Sequence, residues 1–469
     1  MVNEHQKAYA VLILVILFAY VNSLWGNFQF SDYNVIVNYP VVHSWSRWFH
    51  NAVHGGIRPL LKLSYTMNWM LGHGPLGFHI FNVAVHVINV LMVYEISRKL
   101  ASAWHSDQSS KAQDGPALLA ALLFAVHPMQ TEAVTYISGR SSSLMALFYL
   151  GSLLAYICGV KQNSRILRFI VSPVLLILAI AVKEVAISLP FVLLLWECTL
   201  SRRNWKQISK DLAIHWCVLA LTLAAILNNH KYLELLLFSS TIRNMIDNLL
   251  SQVNGISYLL SRLFLVYAMN IDPDVPAISS LDLTTSINLF ILATCAVFCI
   301  RKRNTRPWLL FGLLWFMIVL LPSNSVIPRL DVINERHFYL AGVGIFLAAA
   351  MEMAHFRHRF YVLQRSLPLC AVAIIMTLVF FTVLRNNDYR SDVSMWESTM
   401  KYSSEKSRVH NNLGYAYAAA GRTGEAATAF RTALKLEPGN ETAQKNMKLL
   451  GNAATEFNRT VIMHNGGAL

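Results

Sequence analysis

Apolar segments of helical length, separated by short polar turns, run through most of the chain and stop abruptly after Leu384. A helix needs about 20 largely apolar residues to cross the hydrocarbon core of a bilayer. Candidate spans fall near residues 8–25, 77–97, 116–127 with its flank, 142–160, 168–183, 185–200, 212–228, 286–301, 307–322, 338–354 and 366–384. Several are short, so the pattern sets their number only at about eleven. It predicts an all-α integral membrane protein, a polytopic helical bundle over residues 1–385. A smaller helical domain over 386–452 and a flexible tail over 453–469 follow. Two long polar stretches interrupt the bundle, 26–76 and 229–285. The second reads as amphipathic helices lying in the membrane interface, or as a re-entrant hairpin.

Basic residues sort into alternate loops. Arg98 and Lys99, then Lys161, Arg165 and Arg168, then Arg202, Arg203, Lys206 and Lys210 follow the second, fourth and sixth segments. Arg301, Lys302, Arg303 and Arg306, then Arg357, Arg359 and Arg365, follow the eighth and tenth. Short loops rich in Lys and Arg stay cytoplasmic. The N-terminus is therefore expected in the cytoplasm, and the odd loops and C-terminus on the periplasmic or lumenal side. Composition agrees with a membrane body: 55% of the 469 residues are hydrophobic and 14% charged, against about a quarter charged in a soluble domain. The net charge of +14 would point a soluble chain towards nucleic acid, but here it follows from the basic loops. Ala8–Leu24 is long enough to span and lacks a small-residue cleavage site, so it reads as a first span and not a removed leader. Cys158, Cys198, Cys217, Cys295, Cys299 and Cys370 lie in or beside apolar segments. They read as small buried hydrophobes, not as metal ligands or a disulfide framework.

Beyond Leu384, Leu413, Gly414, Tyr417, Ala426, Phe430, Ala433 and Pro438 stand where one tetratricopeptide repeat needs them. Small Ala and Gly let two helices approach, Tyr and Phe fill the space between, and Pro stops the second. One repeat cannot bury its own face. It must stack on residues 388–404, on the segment from 441, on the membrane body or on a partner. Such repeats hold peptides or helices, and Tyr417 is the candidate acceptor contact.

Polar groups that are costly at membrane depth gather on the outer side. Asp32, within FSDYNVIVN, follows the first span. A carboxylate there could take a proton from a hydroxyl, or could simply end the helix as a solvated acid. Arg58-Pro59 puts a fixed cation on an extended turn. His79, Asn82, His86 and Asn89 recur on one face of the second span; His86 and Asn89 read as a packing network, while His79 lies nearer the surface. HPMQTEAVTYISGRSSSL crowds His127, Glu132 and Arg140 between two spans. Glu132 is a second outer carboxylate and Arg140 a planar donor suited to phosphate, unless the two form a pair that pins helices. Lys183-Glu184 breaks an apolar run, either as a turn paired to itself or as part of an outer site. Arg329, Asp331, Glu335 and Arg336 share the last outer loop. There Arg336 with Arg140 could hold a diphosphate or phosphodiester, or the arginines could pair with the neighbouring acids. No P-loop, GxGxxG, HExxH or nucleophile elbow occurs. No segment is long enough for a soluble nucleotide-sugar domain, so an activated substrate must reach the outer face on a lipid.

Taken in order, FSDYNVIVN, RPL, GPLGFH, HPMQTEAVTYISGR, VKEVAISLP, WFMIVLLPSNS and ERHFYL resemble the transmembrane and tetratricopeptide-repeat-containing protein O-mannosyltransferases and their bacterial relatives among the GT-C glycosyltransferases. The resemblance implies a GT-C-type bundle that uses a polyprenyl-phosphate sugar, dolichyl-phosphate mannose in eukaryotic members. It implies inverting transfer to a protein hydroxyl on the outer face. It would make Asp32 the catalytic base and Glu132 a second acid, orienting the acceptor or a metal-bound water. Arg58, Arg140, Lys183 and Arg336 become candidates for the lipid phosphate, whose charge grows as it leaves. His79, His127, Glu184 and Glu335 are further substrate contacts. No cofactor follows with certainty, and a divalent metal stays open. Two departures weaken a metal-bridged mechanism: Ser31 replaces one of two paired acids, and Ser142 stands where an Asp is frequent. A single repeat implies a smaller acceptor surface and favours a bacterial inner membrane over the endoplasmic reticulum.

Other functions compete with this reading. The acceptor could be a lipid or surface glycan. A lipid-linked-sugar transporter would show inverted repeats, broken helices and charges deep in the spans; here the charges gather at one surface. A non-catalytic scaffold presenting the repeat would leave Asp32, Glu132, Arg140 and Arg336 without a shared purpose.

Overall fold

The computed structural model describes residues 4–104, 110–200, 203–325 and 327–452. Arg202 and the expected tail at 453–469 lie outside them. The chain begins with α1 (Glu4–Tyr20), and the first outer loop carries α2 (Trp45–Val53) and α3 (Pro59–Leu71). The bundle continues with α4 (Gly74–Trp104), α5 (Ser110–Val126), the single turn α6 (Thr131–Val134), α7 (Arg140–Lys161), α8 (Ser172–Val182), α9 (Leu189–Leu200) and α10 (Trp205–Asn228). The second outer stretch forms α11 (His230–Ile242) and α12 (Met245–Arg262), and α13 (Leu283–Arg301), α14 (Pro307–Leu320), α15 (Phe338–Arg359) and α16 (Leu363–Asp388) complete the bundle. Beyond it lie α17 (Asp392–Met400), α18 (Ser407–Ala419), α19 (Thr423–Leu436) and α20 (Glu441–Asn452).

All eleven apolar segments are helical, yet only seven helices among the described residues are long and apolar enough to cross a membrane, eight if the bent pair Asp114–Val126 and Pro128–Val134 counts as one. The stretches Leu167–Val182 and Pro307–Leu320 are apolar but shorter. At about 1.5 Å per residue such helices fall short of a hydrocarbon core of about 30 Å. The expected count of about eleven is thereby lowered by element length, not by loss of helix.

At the centre, α4, α5, α7 and α15 pack against one another, with α14 laid along α15. Gly312 and Gly344 permit that last approach: a Cβ on Gly344 would stand 2.7 Å from the Gly312 carbonyl oxygen, so the backbones touch as small-residue membrane crossings do. Buried polar side chains tie these helices together, although Asn89 Oδ1 itself has no partner among the described residues. His86 contacts Tyr339 Oη at 2.7 Å and the Ala125 carbonyl at 2.9 Å, and Asn89 donates to the Ser143 carbonyl at 2.8 Å and to Tyr339 Oη at 3.0 Å. This is the packing network their helical spacing predicted. The six cysteines are not buried: Cys198, Cys217, Cys295 and Cys370 are exposed on outer helix faces and Cys158 and Cys299 are partly so. In a bilayer an apolar thiol can face lipid at little cost, so burial within the protein is not needed.

Outside the bundle, α18 and α19 form the predicted repeat hairpin, sandwiched between α17 and α20. A Cβ on Gly414 would meet the Phe430 ring at 2.7 Å, which is why only glycine fits there. Phe430, Leu413, Ala426 and Ala433 are fully buried. Replacing Phe430 with Ala removes the side chain that fills the hairpin. We expect this domain to lose about 3–5 kcal/mol, read as faster hydrogen exchange across α18–α20 with the bundle unchanged.

Candidate active site

One end of the bundle encloses a cavity of about 270 Å³ between the loop after α1, the start of α7 and the turn that leads into α15. One wall is cationic: Arg58, Lys183, Arg329 and Arg336. The other carries Tyr39, Ile57, Leu61 and Tyr65, with Lys62 Nζ 5.3 Å from the Tyr39 ring centroid, and Ser31 and Ser138 form a lip.

Asp32 sits immediately behind that lip. It is 1% exposed. Its Oδ2 accepts the Gln29 amide at 2.9 Å and its Oδ1 accepts the Ser138 amide at 2.8 Å together with the Ser138 hydroxyl. Burial pushes this carboxyl up to about 7, against hydrogen bonds from Ser138 and Gln29 that favour the anion, and nearby Asp392 adds to the rise. Tyr136 flanks the same turn, its hydroxyl accepting the Ser31 amide at 3.0 Å.

Charges around the cavity are unevenly matched. Arg58 Nε and Nη2 donate to the two Glu184 oxygens at 3.0 and 2.5 Å. Burial alone would raise the Glu184 carboxyl, but the guanidinium overrides it and holds it at about 2. Lys183 Nζ, in contrast, donates only to a neutral group, the Ser142 hydroxyl at 3.0 Å. Burial, and then the charges of Arg336, Arg58 and Arg329, push its ammonium well below the usual range. Arg329 has no carboxylate partner among the described residues, because Asp331 pairs instead with Arg408 of α18. Arg336 donates its backbone amide to Glu132 at 2.8 Å, while its Nε stays 3.9 Å from that acid. Lys183, Arg329 and Arg336 thus face one space with little to neutralise them, and Lys62, which donates to Asn51 Oδ1 at 3.0 Å, adds a fourth basic side chain.

A narrow crevice adjoins this cavity and shares Ser31 and Arg336 with it; Glu132, Tyr136, Asp331, Trp396 and Arg408 also line it. Glu132 Oε1 is buried there without a hydrogen-bond partner. The crevice leads from the C-terminal domain towards the lip.

The structure brings together Asp32, Glu132, Arg58, Lys183, Arg336 and, behind Arg58, Glu184. The other predicted residues are engaged elsewhere. Arg140 is 0% exposed and fully committed: Nε donates to Asn82 at 2.6 Å, and its terminal nitrogens reach the Ser64 and Phe78 carbonyls at 3.1 Å. Its guanidinium lies over the Phe81 ring, 4.4 Å from the centroid. It clamps α3, α4 and α7 and neither pairs with Glu132 nor lines the cavity. His79 contacts the Gly26 carbonyl at 3.1 Å, fastening the end of the first span to α4. His127 accepts the Met129 amide at 3.3 Å and caps a short turn. Glu335 accepts from Tyr258 Oη and the Asn270 amide, both at 2.8 Å, tying α12 to the outer loop. Tyr417 donates to Glu397 at 3.0 Å and carries Arg422 on its ring, away from the cavity.

Sequence reasoning placed Arg329 among paired residues and gave Ser138 no specific role; both line the cavity. The signal for Arg329 lay in Lys406 and Arg408, which draw the acids away from it. No group of three or more His, Cys, Asp and Glu among the described residues could hold a metal ion.

A profile of the tetratricopeptide repeat matches residues 407–440. The chain is 25% identical to protein O-mannosyl-transferase F38B6.6 of Caenorhabditis elegans, over 92% of this chain and 63% of the relative. It is 25% identical to protein O-mannosyl-transferase TMTC4 of Homo sapiens, over 85% of this chain and 62% of the relative. For human protein O-mannosyl-transferase TMTC3 the identity is 23%, over 98% and 54%. The chain therefore spans between about half and two thirds of the length of the relatives it matches. No solved structure matches it. These likenesses run along the whole bundle and agree with the resemblance its motifs carry.

The Arg58–Glu184 pair makes a direct prediction. Arg58→Ala leaves a mostly buried carboxylate alone, and such a loss costs about 3–5 kcal/mol. Thermal unfolding in detergent should show that drop, and Glu184→Gln should also destabilise because it leaves the Arg58 guanidinium without its carboxylate.

Proposed function

We propose that this protein is a membrane glycosyltransferase that moves a sugar from a polyprenyl-phosphate donor to a hydroxyl of a protein acceptor, with inversion at the anomeric carbon. The observation that carries this reading is the cavity with three weakly neutralised cations beside a buried carboxylate poised near neutrality. Mutual repulsion among Lys183, Arg329 and Arg336 makes the empty site costly, and a phosphate relieves it. The wall of Tyr39, Ile57, Leu61 and Tyr65 suits the first units of a polyprenol, so that a lipid-linked phosphate fits both halves of the cavity. The names of the relatives make mannose the first sugar to test and a protein the first acceptor. The reacting face in this reading is the periplasmic or lumenal one, which the basic loops support, and the animal relatives weigh towards the lumenal alternative.

In this reading Glu132, which lines the crevice beside Trp396, orients the acceptor at the lip. Asp32 takes the hydroxyl proton while the acceptor oxygen attacks the anomeric carbon. The carbon–oxygen bond to phosphate breaks, and the leaving dianion is met by Lys183, Arg329 and Arg336, cations aimed where charge develops. Asp32 must exchange its Ser138 contact for the acceptor, an adjustment common when apo sites fill.

Asp32→Asn should lower kcat with dolichyl-phosphate mannose by about 100-fold or more while donor binding persists; normal turnover would remove Asp32 as the base. Arg329→Ala should cut kcat/KM for the donor by about 10- to 100-fold, the worth of a charged hydrogen bond, and an unchanged value would argue against its phosphate role. A base must be ionised to act, so kcat/KM should rise with pH through about 7 and not near the ordinary carboxylate range. Tyr65, Tyr136, Arg140 and Asp392 are the other titratable groups that interact with Asp32. A rate flat between pH 5 and 8 would contradict the assignment.

A further inference from the structure

The turn that carries Asp32 is held from two sides. From the bundle come Ser138 and Tyr136. From beyond the last span come three more contacts: Gln29 Nε2 donates to the Tyr389 carbonyl, the Asn27 amide to the Arg390 carbonyl at 3.4 Å, and the Phe30 amide to Asp392 Oδ1 at 2.8 Å. The Phe30 ring stands edge-on to Trp396, centroids 5.0 Å apart at 86°, and Trp396 is 1% exposed. Tyr136 stacks on Tyr389 across the same seam, 6.1 Å between centroids.

Phe30 is the residue that needs such support. Its φ is +42°, in the left-handed region that L-residues with a Cβ avoid. It lies two positions before Asp32, in the tight turn whose next amide comes from Ser31. Residues in such conformations persist only when their surroundings over-determine them, and they cluster where function requires it. Both anchors on Phe30, the carboxylate and the indole, belong to α17. An acid at the first turn of a helix ordinarily serves that helix's own amides and dipole. Here the Asp392 Oδ1 also reaches across to another segment, the turn at Phe30.

We propose that Asp392 is a positioning residue for the transfer reaction: it holds Phe30 in its left-handed conformation and so aims the Asp32 carboxylate, which makes the start of the C-terminal domain part of the active site. The inference rests on the reading of Asp32 as base. It gives the domain a second task besides presenting the repeat. A groove of about 400 Å³ runs along the same seam, with Asn27, Phe28 and Tyr33 on one side and Asp392, Val393 and Ala416 on the other.

The test compares Asp392→Ala with Asp392→Asn in the full-length protein in detergent or nanodiscs, with Asp32→Asn alongside. Asn keeps the Oδ1 acceptor for the Phe30 amide; Ala does not. Hydrogen exchange of peptides covering 27–33 should rise about tenfold in Asp392→Ala, the worth of one charged hydrogen bond, with 407–440 unchanged, and should return to the wild-type rate in Asp392→Asn. With dolichyl-phosphate mannose as probe, kcat should fall about tenfold or more in Asp392→Ala at an unchanged donor KM, and Asp392→Asn should restore it. Unchanged exchange at 27–33 in Asp392→Ala overturns the proposal, as does a rise spread over 407–440, which would mean a merely structural contact. If Asp32→Asn retains turnover, the base assignment fails, and the exchange data still decide whether Asp392 holds the turn. If Asp32→Asn is inactive while Asp392→Ala turns over normally, the positioning role alone is refuted.

Discussion

A carboxylate buried without partners is prohibitively costly, so Asp32 must be fully hydrogen-bonded to exist where it does. The Ser138 amide and hydroxyl and the Gln29 amide meet that need. This one requirement joins the loop after α1 to the turn that opens α7 and fixes Ser138 of the cavity lip. Through Phe30 it also reaches the C-terminal domain. This end of the bundle is organised around an acid that the fold has to accommodate, and the same burial that makes it costly raises its carboxyl to about 7. Structure and chemistry share a cause.

The second constraint is the distribution of charge. Arg58 is neutralised by Glu184, whereas Asp331 and Glu335 are drawn to Arg408 and to Tyr258 with the Asn270 amide. Removing those acids from the neighbourhood of Arg329 and Arg336 leaves the cavity short of negative charge. The C-terminal domain therefore acts at a distance: Lys406 and Arg408 bind Asp272, Arg408 and more distantly Lys406 reach Asp331, and the bundle's own arginines are left facing the cavity. Ser142 beside Lys183 works in the same direction, because a hydroxyl satisfies the ammonium's geometry without cancelling its charge.

The bundle, the repeat and the gathering of polar groups on one side were legible in the sequence because they depend on local pattern: apolar length, basic loops and seven residues in register. His86 and Asn89 were legible too, as a hydrogen-bonded network on one helix face. Partner choice was not. Lys183 and Glu184 are neighbours in the chain, yet one turns to Ser142 and the other to Arg58, since the extended backbone at Lys183 (φ −158°, ψ 128°) sends successive side chains apart. Arg140 carries the signature of a phosphate ligand, but the aromatic cage of Tyr65, Phe78 and Phe81 and three local acceptors claim it entirely. The left-handed Phe30 could not be read at all, because nothing in its type announces a positive φ; its cause lies some 360 residues away, in Asp392 and Trp396.

The central claim is that the lipid-linked phosphate occupies the cavity with its sugar turned towards the lip. The most direct measurement is a cryo-electron microscopy structure of the full-length protein with a non-hydrolysable polyprenyl-phosphonate sugar. The account predicts the phosphonate within hydrogen-bonding reach of Lys183, Arg329 and Arg336, the polyprenol along Tyr39, Ile57 and Leu61, and the anomeric carbon facing Ser31 and Ser138. A phosphonate bound outside this cavity, or a sugar turned away from Asp32, would contradict it.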